Sequence, residues 1–326
     1  MNDTNKKVRI GVIGIGYLGK YHLEKYLGID GVEVTGVCDT NHEIGKKVTA
    51  DYGIPHFFDH RRLLGMVDAI SVVVPTVHHH LVAMDFLNAG VDVFVEKPIT
   101  ANLVEAQSLI DTAESRGLIL QVGHLERFNP AVLALAGTMR EPMFIESHRL
   151  SPFPERSVDI DVILDLMIHD IDIILNIVKS PISHIDAVGV PIITSQVDIV
   201  NARLNFESGC VANVTASRVS AEKMRKIRIF QSDAYISIDY AAQKITVYKR
   251  VSDGNDQFSI VRQDMDISPS DYLGDEIKSF VQAVRTRTTP PVTGRDGKRA
   301  LEVAIQIQER LEESMARLKE RGILTP

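Results

Sequence analysis

The 326 residues include 36 Lys plus Arg against 43 Asp plus Glu, a formal net charge of −7, which argues against a nucleic-acid partner, because affinity for phosphate backbones comes from clustered positive charge. With 44% hydrophobic and 24% charged residues the composition is that of a globular chain, and the length suits about two domains. Cys38 and Cys210 have no metal-ligand spacing, which excludes a disulfide framework and a cysteine metal site and fits a cytoplasmic protein, while no apolar run approaches the roughly 20 residues that cross a bilayer.

Lys6 and Lys7 ahead of Ile10 to Leu18 have the outline of a signal peptide, but four glycines between Gly11 and Gly19 interrupt it, so the start reads as mature structure. Val8 to Ile13 is a β-branched run ending in glycines, Tyr17 to Leu27 is helix-compatible, and Val32 to Val37 is a second apolar run closed by Asp39. That is a βαβ unit. Further buried strands are expected at Ala69 to Val74, Val91 to Val95 and Leu118 to Val122, with helices at His79 to Asn88 and Leu103 to Ser115, each followed by the glycine that favours a helix C-terminus. Strands alternating with helices predict an α/β, doubly wound parallel sheet.

Past about residue 123 the pattern changes. Val158 to Val178 is one long apolar stretch studded with acids, read as a helix. Period-two alternation then predicts strands at Asp198 to Phe206 and Cys210 to Arg218 around a turn at Gly209, followed by Arg225 to Phe230, Tyr235 to Asp239 and Lys244 to Lys249. These strands predict a second, α+β domain with a largely antiparallel sheet. Tyr272 to Arg285 and Lys298 to Arg321 read as closing helices. The expected division is residues 1–123 for cofactor and 124–326 for substrate and oligomerisation, with the last helices able to pack back on the first domain.

Gly14, Gly16 and Gly19 form GxGxxG at the mouth of the first helix, where backbone can approach a pyrophosphate that the helix N-terminal amides stabilise. Asp39 follows Gly19 by 20 residues and can accept hydrogen bonds from ribose hydroxyls while repelling a 2′-phosphate, so NAD is expected rather than NADP. The alternative is a glycine-rich turn of another α/β protein. Glu96 Lys97 Pro98 closes a buried strand and delivers Lys97 to the ligand-binding edge of the sheet, against the reading of an ordinary surface lysine. Asp165 and His169 are four apart on one helix face, a pairing suited to proton transfer. A solvated acidic face, or a metal held by Asp165, His169 and Asp172, are the other readings, and no metal is expected. His78 His79 His80, after Pro75 Thr76, cannot all converge on one ion and are read as a helix start at the nucleotide edge. Arg127, past the strand ending at Val122, suits an anionic group or a salt bridge with a nearby acid.

As a set, Gly14 Ile15 Gly16 Tyr17 Leu18 Gly19, Pro75 to His79, Ala89 Gly90 through Glu96 Lys97 Pro98, and Asp165 to His169 resemble the glucose-fructose oxidoreductase and inositol dehydrogenase family, Gfo/Idh/MocA. The resemblance runs in order from the first strand to Val292 through Gly297. It implies an N-terminal Rossmann domain, a C-terminal domain with an open, largely antiparallel sheet, and a homo-oligomer, dimer or tetramer. It further implies an NAD-dependent dehydrogenase of CH–OH groups, with Lys97 as catalytic lysine, His169 as acid/base and Asp165 assisting it; lysine and histidine can exchange roles. Cofactor contacts are implied at Gly14, Gly16, Tyr17, Leu18, Gly19, Asp39, Pro75, Thr76, His79, Glu96 and Lys97. Substrate contacts are implied at Lys97, Arg127, Asn129, Arg156, Asp165 and His169, with Arg149 a further candidate for a diphosphate. Within the family the chain is most like members that oxidise position 3 of nucleotide-linked N-acetylhexosamines such as UDP-N-acetylglucosamine. An inositol or free-sugar dehydrogenase, an NAD-dependent glycosidase and a non-catalytic NAD-binding regulator are the alternatives.

Overall fold

A computed structural model describes residues 7–137, 139–153, 161–194, 196–240, 242–252, 258–267 and 270–322. The chain opens with β1 (Val8–Ile13), α1 (Tyr17–Leu27), β2 (Val32–Cys38), α2 (His42–Tyr52), β3 (His56–Phe57), β4 (Ala69–Val72), α3 (His79–Asn88), β5 (Asp92–Glu96), α4 (Leu103–Ser115) and β6 (Leu120–Gly123). The six strands lie in the order β3-β2-β1-β4-β5-β6 with every pairing parallel. Strand order reverses beside β1, and the crevice at the carboxyl ends of β1 and β4 is where such sheets bind ligands.

β4 is shorter than its apolar run. Val73 still donates to Ile13 at 2.8 Å, but the Val74 carbonyl turns to the ring of His79 and the strand stops. α2 was not anticipated, because only Gly45 and Val48 of it are buried and so thin a stripe gives little period. Its start is fixed by Asn41, whose side chain accepts from the amides of Glu43 and Ile44.

The second sheet is built from β7 (Phe144–Leu150), β8 (Ile182–Val190), β9 (Ile199–Phe206), β10 (Val211–Ser217), β11 (Met224–Phe230), β12 (Ala234–Asp239), β13 (Lys244–Ser252) and β14 (Phe258–Asp266). Their order is β14-β13-β12-β11-β7-β10-β9-β8, antiparallel except for the parallel pair β7 and β10. Gly209 takes the left-handed conformation, φ +86°, that the β9–β10 hairpin requires. The helices α5 (Pro130–Leu133) and α6 (Ile168–Ile177) accompany this sheet. The long helix expected from Val158 is a π-helical turn at Ile163–Met167 running into α6, and residues 158–160 lie outside the described residues.

Two compact units result. One comprises the residues up to Phe128 together with Asp271–Arg299; the other comprises Asn129–Ser270 and the chain from Ala300 on. α7 (Tyr272–Thr286) thus belongs to the first unit, and the division falls inside α8 (Gly294–Glu320). The first core joins Ile10, Val12 and Phe94 of the sheet to Leu23 and Tyr26 of α1 and to Ile277, Phe280 and Val281 of α7. The second joins Ile145, Val214, Ile229 and Ile236 to Ile171 and Ile174 of α6 and to Val303, Ala304 and Ile307 of α8. No helix among the described residues is long and apolar enough to cross a membrane.

Candidate active site

β1 delivers the chain at Ile13 into the glycine loop. Gly14 has φ +87°, and a Cβ there would lie 2.5 Å from the Val73 carbonyl oxygen. A Cβ on Gly19 would collide with the Gly14 carbonyl oxygen. Only glycine lets α1 start this close to β1. At Gly16, by contrast, a Cβ would meet nothing within 4 Å, so its backbone borders open space. The first turn of α1 has no acidic residue and no side-chain cap, which leaves its amides and the positive end of the helix dipole for an anion. The loop fits a dinucleotide pyrophosphate. Tyr17 is exposed and Leu18 half-buried at the helix start.

Gly14, Gly16, Asp39, Phe58, Pro75 and His78 line a cavity of about 450 Å³ in the first unit. Asp39 stands at the end of β2 with Oδ2 accepting from Ile15 N and Oδ1 from Asn41 N, both at 2.8 Å. Cys38 also lines the cavity, its thiol pushed up to about 12 by burial, then by Asp39 and Asp59, so it stays protonated and unreactive. Pro75 precedes the 3₁₀ turn Thr76–His78. The three histidines diverge. His78 lines the cavity, His80 Nε2 meets Ser108 Oγ at 2.8 Å, and His79 is buried with Nδ1 2.9 Å from the Pro98 carbonyl and Nε2 2.8 Å from that of Val74. Burial holds His79 below the usual histidine range against the pull of those carbonyls. A neutral imidazole has one N–H, on Nδ1 or Nε2, so it donates to only one of the two carbonyls at a time.

Glu96 ends β5, and the Lys97–Pro98 peptide that follows is cis. The Glu96 carboxylate is buried. Burial alone would raise its pKa, but the hydrogen bond and charge of His22, with Lys97 beside it, hold it below the usual carboxylate range. Lys97 is half-buried. Arg127, with its side chain 10% exposed, lies 3.6 Å from Asp296, also in the first unit.

In the second unit Asp165 lies in the π-helical turn and His169 in the first turn of α6, both half-buried. Single π turns are frequent at functional positions, because they rotate the side chains that follow. α6 is anchored next to His169 by Asp170, fully buried, whose oxygens accept from Arg149 Nε at 2.6 Å and Ser147 Oγ at 2.9 Å. Arg149 therefore spends its guanidinium on an internal ion pair. Asn129 is buried, and its side chain caps α5 by accepting from Ala131 N at 3.0 Å. Arg156 lies outside the described residues. Among the described residues no three His, Cys, Asp or Glu are grouped to hold a metal.

Sequence reasoning missed His22 and Asp296. His22 shares the buried stripe Gly19, His22, Leu23 and Tyr26 of α1, and a histidine among residues spaced for the core was the available signal. Asp296 is remote from Arg127 in the chain, and no local pattern pairs them.

The sequence matches the profile of an oxidoreductase family with an NAD-binding Rossmann fold over residues 8–124, and that of the GFO/IDH/MocA C-terminal domain over residues 136–237. The chain belongs to the Gfo/Idh/MocA oxidoreductase family. It is 38% identical over 313 residues to UDP-N-acetylglucosamine 3-dehydrogenase of Acidithiobacillus ferrooxidans, covering 95% of this chain and 99% of that protein. A solved structure of that dehydrogenase superposes with TM-score 0.88 at 37% identity, over 94% and 98% of the two chains. Myo-inositol 2-dehydrogenase of Thermotoga maritima is 26% identical over 94% and 97%. The scyllo-inositol dehydrogenase of Lactobacillus casei, at 21% identity and TM-score 0.79 over 95% and 98%, shares the fold. As a Gfo/Idh/MocA member the protein is an NAD-dependent oxidoreductase acting on CH–OH groups, with the Rossmann sheet and the mostly antiparallel second sheet expected from its sequence.

Proposed function

We propose that the protein oxidises a secondary hydroxyl of a nucleotide-linked N-acetylhexosamine, C3 of UDP-N-acetylglucosamine in the first instance. The observation that carries this is the 38% identity to the Acidithiobacillus enzyme across essentially both whole chains. Bound NAD supplies the hydride acceptor. His169 takes the hydroxyl proton with Asp165 orienting it, and the Lys97 ammonium hydrogen-bonds the oxygen as negative charge develops there. The glycine loop and Asp39 hold the dinucleotide, with Tyr17, Leu18, Pro75, Thr76, His79 and Glu96 completing its surroundings. Arg127, Asn129 and Arg156 serve the substrate. Cofactor work falls to residues 1–123, from which Lys97 also reaches the substrate, and the remaining substrate work to 124–326. A cytoplasmic homo-oligomer, dimer or tetramer, completes the proposal.

A panel assayed for NADH formation tests it: UDP-N-acetylglucosamine, UDP-N-acetylgalactosamine, free N-acetylglucosamine, myo-inositol and scyllo-inositol. The UDP conjugates should be preferred. Arg127→Lys should raise their KM by about tenfold or more, because the planar fork that can take two phosphate oxygens is replaced by a point charge, and leave NAD affinity unchanged. Turnover confined to an inositol, or equal turnover of the free sugar, would overturn the substrate assignment and leave the dehydrogenase intact.

A further inference from the structure

We propose that His22 is a positioning residue for Lys97, acting through Glu96; the proposal rests on the reading above in which Lys97 meets the reacting hydroxyl. Lys97 N donates to Glu96 Oε2 at 3.2 Å. The other oxygen, Oε1, lies 3.2 Å from His22 Nε2. His22 Nδ1 is 3.3 Å from Ser71 Oγ, which is 2.7 Å from the Tyr26 hydroxyl. His22, Tyr26 and Ser71 are fully buried and Glu96 is 8% exposed. One buried chain of polar groups thus runs from α1 across β4 to the end of β5 and meets the Lys97 amide.

Packing alone does not account for it. Burying a carboxylate and an imidazole is costly, and apolar side chains of the same volume would stabilise the core at least as well. What the polar chain adds is direction, since the carboxylate accepts the Lys97 amide only while His22 holds its other oxygen. The carboxylate lies in the space left by the missing side chain of Gly123 on β6, where a Cβ would sit 2.7 Å from Oε1 and 2.9 Å from Oε2. α1 also begins at the glycine loop, so the helix that fixes the Lys97 backbone is the one whose amino end faces the cofactor. A lysine side chain has four rotatable bonds, and pointing its ammonium at a reacting oxygen starts with a backbone that does not move.

The test uses the whole protein with NAD and UDP-N-acetylglucosamine. A glutamine amide reaches about as far as Nε2 and can still donate to Glu96; an asparagine amide reaches only the Nδ1 position, towards Ser71. His22→Asn should lower kcat about 10- to 100-fold, the scale of a misplaced catalytic group, with both KM values within about threefold. His22→Gln should restore kcat to within about threefold of the native value. A structural role would lower the melting temperature in both and leave kcat per folded molecule alike, so equal kcat in the two variants, or native kcat in His22→Asn, overturns the proposal. If neither variant folds, Glu96→Gln decides: it keeps the volume but offers one acceptor oxygen to two donors, and native kcat there is equally fatal. Lys97→Ala runs alongside. Its retaining turnover brings down the reading of Lys97 and this proposal together, whereas its loss beside native His22→Asn and Glu96→Gln brings down only the positioning role.

Discussion

Asp39 accepts a hydrogen bond from the backbone amide of Ile15 at 2.8 Å, so the acid that closes β2 is fastened to the glycine loop between β1 and α1. Its other oxygen is held by Asn41 N. Each carboxylate oxygen keeps a lone pair for a ribose hydroxyl, and the fixed charge would face a 2′-phosphate. NAD should therefore bind more tightly than NADP, and Asp39→Ala should narrow the difference by about 10- to 100-fold, the worth of a charged hydrogen bond. Titration of native and variant protein with both dinucleotides checks this; equal affinities in the native protein would remove Asp39 as the selector.

Lys97→Ala and His169→Ala should each reduce kcat about 10²- to 10⁴-fold while NAD still binds. Cofactor binding is followed by titration and turnover by NADH formation. Variants retaining turnover within a few-fold would show that the proton is handled by other groups.

Asp198 predicts an acid-sensitive stability. It is fully buried and accepts from the amides of Ile192, Ile193 and Thr194 at 2.7, 2.6 and 2.9 Å, from Thr194 Oγ1 at 2.8 Å and from Arg218 Nε at 2.9 Å. Burial pushes its pKa up, but these donors outweigh burial and hold it well below the usual range. A depressed folded-state pKa contributes stability above the unfolded value of about 3.9 and loses it as pH falls further. Asp198→Asn removes the charge facing the buried Arg218 and should cost about 3 kcal/mol or more at neutral pH. In denaturant unfolding, the gap between native and variant should shrink below about pH 4; a gap independent of pH would contradict this.

The open face of the eight-stranded sheet should be a subunit contact. Asn201 Nδ2 donates to Thr215 Oγ1 at 2.8 Å and Arg203 to Asn213 Oδ1 at 3.3 Å, while Phe144, Phe230, Tyr235 and Tyr248 form a cross-strand row of rings with centroids 4.8 to 5.7 Å apart. Aromatic groups among polar ones suit a hydrogen-bonded interface. Light scattering at micromolar concentration should give a dimer or tetramer, and a monomer would refute it.

The ends of β1 and α1 could be read from the chain because a β-branched run, three glycines and an acid each act locally. β7 could not, since its inward residues are Ile145, Ser147 and Arg149, and two polar side chains in three erase the alternation that marks a strand. Their inward position depends on Asp170, remote in the sequence. The site divides similarly. Gly14, Asp39 and Pro75 line one cavity as their motifs imply, whereas the turning of His79 onto two carbonyls and of Arg149 onto Asp170 depends on partners no spacing rule names.

Ile277, Phe280 and Val281 of α7 complete the core beneath α1 and β5, although they follow the whole eight-stranded sheet in the chain. Synthesis proceeds from the amino end, so the nascent Rossmann half must wait for its last interior side chains until its neighbour has been made. During that interval Leu23, Tyr26 and Phe94 lack the cover they have in the finished protein, and exposed apolar surface of this kind invites association with other chains. A fragment cut at residue 128 would remain in that condition indefinitely.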